Sequence, residues 1–76
     1  MFELGKIYMA TVEGKKFRFR AEEKTPGGNV FFADLDDFFW YLDTIMPQLV
    51  RMAVVSKDGR TASLTDGKGY GVELHA

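Results

Sequence analysis

Between Lys16 and Glu22 the side chains alternate without a break. Phe17, Phe19 and Ala21 fall on one side, and Lys16, Arg18, Arg20 and Glu22 on the other. Strict period-two alternation describes a strand with one buried face and excludes a helix, whose faces repeat at spacings of three and four. A strand of this kind needs partners, and the sequence around it supplies them. Lys6 to Ala10 alternates around Ile7 and Met9 and forms a hairpin with it. A three-residue loop, Val12-Glu13-Gly14 with a left-handed glycine, is the preferred connection and pairs Met9 with Phe17 and Ile7 with Phe19. A two-residue Glu13-Gly14 loop would instead set Tyr8 and Ala10 beside the phenylalanines.

Downstream, Glu22 to Gly28 contains proline, paired glycines and charge, and is expected to be a mobile loop. Asn29 to Ala33 is a short apolar strand. Leu35, Phe38, Phe39, Leu42, Ile45 and Met46 then recur at amphipathic spacing, which predicts a helix from Leu35 or Asp36 to Met46. Asp34 or Asp36 would cap it, and Pro47 would end it. Arg51 to Ser56, Thr61 to Thr65 and Tyr70 to Leu74 read as three more strands. They are joined by Lys57-Asp58-Gly59-Arg60, read as a two-residue Asp-Gly hairpin, and by Asp66-Gly67-Lys68-Gly69. Val55, Ala62, Leu64, Val72 and Leu74 share the expected core face.

The expected fold is therefore α+β, in the order βββ-α-βββ. A mainly antiparallel, strongly twisted sheet of five to six strands carries one amphipathic helix across one face. All 76 residues form one domain. A chain this short buries a modest fraction of its surface and needs reinforcement. With no cysteine, disulfides and thiolate metal sites are unavailable, which leaves aromatic packing or association. The first residues carry no basic stretch followed by an apolar run, and the longest apolar run, Phe38 to Leu42, is too short to span a bilayer. A soluble cytoplasmic protein without membrane contact is expected.

The residues offer little chemistry. Asp34, Asp36 and Asp37 lack the glycine and distal glutamate of a calcium loop, and read as a solvated helix start. No metal, cofactor or catalytic site is expected. Ser56 and Ser63 lie in strands, and the only histidine, His75, is next to last, so no triad can be assembled. Gly67-Lys68-Gly69-Tyr70-Gly71 leads into a strand and not into a helix, unlike a phosphate cradle.

Trp40 is the anomaly. On the expected helix it falls between Asp36, Asp43 and Thr44, away from the apolar face, with Asp37 at the rim. Asp34 to Gln48 holds four aspartates and no lysine or arginine. Three meanings are open: a core residue covered by a loop, a homodimer seam, or an interface anchor ringed by acids. The leading expectation is a non-enzymatic protein-interaction module binding a basic-surfaced partner through Trp40, Asp36, Asp37, Asp43 and Thr44. Small inhibitors and adaptors act this way, as do short accessory proteins of phages and mobile elements. The alternative is a single-stranded nucleic-acid-binding domain that uses Tyr8, Lys16, Arg18 and Arg20 on the outer face of the first hairpin.

Overall fold

Alternation carries further along the chain than the sequence reading allows. The computed structural model describes residues 1–38, 50–65 and 71–76. Among the described residues it is all-β. The strands are β1 (Ile7–Val12), β2 (Lys15–Lys24), β3 (Val30–Asp34), β4 (Val50–Val55), β5 (Thr61–Thr65) and β6 (Gly71–His75). They pair antiparallel in sequence order, and β1 comes to lie against β6, so the meander nearly closes into a barrel. The strand β4 turns the corner. Val50 to Ala53 pair with β3, whereas Val54 and Val55 pair with β5. At the corner the Asn29 side chain accepts the Val55 amide at 3.1 Å.

The α+β expectation is thus corrected to all-β, with no helix among the described residues. Leu35 and Asp36, expected at the helix start, form a turn. The Leu35 amide donates to the Arg18 carbonyl at 3.0 Å, extending the β2–β3 ladder by one step. Asp37 then adopts φ 54°, a left-handed conformation that aspartate tolerates and a helix does not. The rest of the expected helix, through Met46, lies outside the described residues.

The first hairpin is also corrected. Glu13 (φ 52°) and Gly14 (φ 79°) are both left-handed, as a two-residue type I′ turn requires, and Val12 pairs with Lys15. Tyr8 therefore faces Phe19 and Ala10 faces Phe17, which sends Ile7 and Met9 outward. Phe2 favours this register from a distance. Its ring packs edge-on against Tyr8 and Phe32, with centroids 4.8 and 5.6 Å away. The Tyr8 hydroxyl oxygen accepts the Glu3 amide at 2.8 Å, which gives the buried ring's polar end a partner.

At the other end of the barrel, Phe38 is fully buried against Phe17 and Phe19, at centroid distances of 5.0 and 5.8 Å. The buried Asp34 carboxylate accepts its amide at 3.0 Å. Ala62, Leu64 and Leu74 complete the core, with Val55 and Val72 packed beside it, all on the face expected. Two connections differ from expectation. The strand β2 runs on through a bulge to Lys24, and Thr25 closes a tight loop by bonding Asn29 through both backbone and hydroxyl. The Asp-Gly hairpin is longer than two residues, with Ser56 bonded to Thr61 across it.

Candidate interaction surface

Every inward residue of a sheet fixes the direction of its neighbours, and the outer face follows from the core. Ile7, Arg20, Ala33 and Val50 form one lateral row across β1 to β4. Met9 pairs with Arg18 towards one end, and Met52 with Phe31 towards the other. Val54 continues the line on β4. Ile7 and Met9 on β1, and Val50, Met52 and Val54 on β4, are 46–59% exposed; with β1 against β6 these strands lie three apart around the barrel, so the side chains form two separate groups, the larger on β4. Ala33, by contrast, is buried in the row between longer neighbours.

Between the two groups, β2 presents Arg18 and Arg20, and both are occupied. The Arg18 guanidinium forks onto Asp36, with Nη2 to Oδ1 at 2.9 Å and Nε to Oδ2 at 3.0 Å. Arg20 donates to Glu22 Oε1 at 2.8 Å through Nη2 and at 3.2 Å through Nε. The hydrogen bond from Arg18 holds the Asp36 carboxyl below its ordinary value, against a smaller opposing effect of burial. Hydrogen bonds to Asp36 and Glu22 raise the two guanidinium groups, so both ion pairs are intact at neutral pH. The arginines thus contribute a locally neutral, geometrically fixed surface between the aliphatic groups.

Of the expected acidic patch, Trp40, Asp43 and Thr44 lie outside the described residues. Asp37 is exposed, and Asp36 is committed to Arg18. Of the expected nucleic-acid set, Lys16, Arg18 and Arg20 share the outer face of β2. Tyr8 does not join them, because its ring is in the core at 7% exposure. Ser56 lies just past β4, where its hydroxyl donates to Asp58 at 2.6 Å. His75 stands 3.5 Å from Glu73, exposed on β6. Among the described residues no three acidic, histidine or cysteine side chains are grouped as a metal site.

Sequence reasoning misses these exposed aliphatic groups, although one signal for the β4 group is present. Placing Val55 in the core already obliges Met52 and Val54 to face outward. Ile7 and Met9 depend on the hairpin register, which the alternation alone leaves open. Comparison with protein-family models, curated proteins and solved structures finds no match to this chain.

Proposed function

We propose that this protein is a non-enzymatic interaction module, an inhibitor or adaptor, that docks another protein on the outer face of β4. The observation that supports this most is the exposed aliphatic row of Val50, Met52 and Val54 along β4, with the arginines of the neighbouring outer surface already neutralised within the chain. An apolar centre with satisfied polar groups around it is the anatomy of a binding surface. It calls for a partner with an apolar patch of its own, not a strongly charged one. The acidic stretch beginning at Asp36 and Asp37 would supply a second contact region, with Trp40 as its anchor. Commitment of Arg18 and Arg20 to carboxylates, and burial of Tyr8, favour a protein over a nucleic acid as partner.

The test is a pull-down from the native host with wild type, Met52→Glu/Val54→Glu and Trp40→Ala, followed by titration of the purified partner. The reading expects a partner that the double variant binds at least about tenfold more weakly. A partner held equally well by the double variant would move the site elsewhere. A concentration-dependent dimer with no other partner would replace the foreign protein by a second copy of this chain.

A further inference from the structure

At the end of the barrel where β2 turns into β3 and β4 into β5, a cleft of about 460 Å³ opens, a size typical of small-molecule sites. None of Ile7, Met9, Val50, Met52 and Val54 lines it. Its apolar lining comes from Phe2 and Val30, both buried, from half-buried Val55 and from exposed Met1. Lys24, at the end of β2, and Lys57, on the β4–β5 turn, are exposed at its rim. Among the described residues neither lysine has an ion-pair partner, unlike Arg18 and Arg20.

The third charged residue of the lining is Asp58. Its Oδ1 accepts from the Ser56 hydroxyl at 2.6 Å and from the Arg60 amide at 3.1 Å, so it serves the turn on which Lys57 sits. Two lysines against one aspartate make the side chains of the lining net cationic. Gly27 and Gly28 line the β2–β3 side, where the backbone is open to close approach.

We propose that this cleft binds a small amphipathic carboxylate, its apolar body against Phe2, Val30 and Val55 and its carboxylate at the rim that carries Lys24 and Lys57. A buried apolar floor under a cationic rim fits a ligand with an apolar body and an anionic head.

Octanoate and its neutral counterpart octanamide are suitable probes, read by amide chemical shifts of the full chain. Octanoate should perturb Gly27, Gly28 and the stretch from Val55 to Gly59, leave Met9 and Met52 unmoved, and bind more tightly than octanamide. Lys24→Gln/Lys57→Gln should weaken octanoate by about tenfold, the loss expected for charge-assisted contacts. Octanamide affinity should not change in that variant, whose unaltered spectrum elsewhere would establish that it is folded. Equal binding of the two probes, octanoate shifts centred on Met9 or Met52, or no localised shift at millimolar octanoate would each overturn the proposal.

Discussion

Arg18 meets Asp36 three times. Besides the guanidinium fork, its own backbone amide donates to Asp36 Oδ2 at 2.8 Å. One carboxylate therefore ties the turn after β3 to the middle of β2, which is why the chain at Leu35 and Asp36 follows the sheet instead of starting a helix. The pair is partly open to solvent, with side chains 52% and 28% exposed, so its main effect is on local geometry.

The pH dependence follows from this pair. Asp36 has its folded pKa below the ordinary 3.8, so its contribution is fully present above that value and is lost as pH falls through the folded pKa. Asp58, lowered chiefly by the Ser56 hydroxyl, acts in the same sense. Wild type should lose stability below about pH 4, and Asp36→Asn should be less stable at pH 7 but less sensitive to acid. Urea unfolding midpoints between pH 2 and 7 check both statements.

The Asp34–Phe38 contact closes one end of the core. Phe38→Ala should cost about 3–5 kcal/mol, much of the stability of a domain this size, whereas Phe38→Leu should be tolerated better. Asp34→Ala leaves the Phe38 amide without this acceptor and should cost about 1–2 kcal/mol. Equilibrium denaturation ranks the three.

Tyr8 offers a finer test of the interior. Tyr8→Phe removes only the hydroxyl that accepts the Glu3 amide, and should cost about 1 kcal/mol by denaturation. A tyrosine lying on the outer face would show no such loss.

The turn itself can be tuned. Glu13 and Gly14 both hold positive φ, so Gly14→Ala should destabilise by about 1 kcal/mol while Glu13→Asn should stabilise slightly. Thermal melts of the two variants, shifted in opposite directions, would report the left-handed pair.

Much of the sheet is legible in the sequence, because alternation is a local property. Phe17, Phe19 and Ala21 mark β2, while Ala62, Leu64 and Leu74 place β5 and β6 with their inner faces correct. What escapes is decided at a distance. Tyr8 and Met9 differ little as strand residues, and the choice between them depends on Phe2 packing across from Phe32. The three-and-four spacing at Leu35 and Phe38 resembles a helix, yet Arg18 captures the intervening Asp36 and keeps Leu35 on the ladder. The candidate surface inherits both effects. Arg18 and Arg20 are legible as outer residues, but their carboxylate partners and the exposure of Ile7 and Met9 are tertiary facts.

The outer face exists as described only if β1 is turned as the Glu13-Gly14 loop dictates. Cross-strand NOEs in the first hairpin measure that directly. The account predicts side-chain contacts of Tyr8 with Phe19 and of Ala10 with Phe17, with Ile7 and Met9 facing solvent. Contacts of Met9 with Phe17 and Ile7 with Phe19 would contradict it, and would return Tyr8 to the surface beside Arg18 and Arg20.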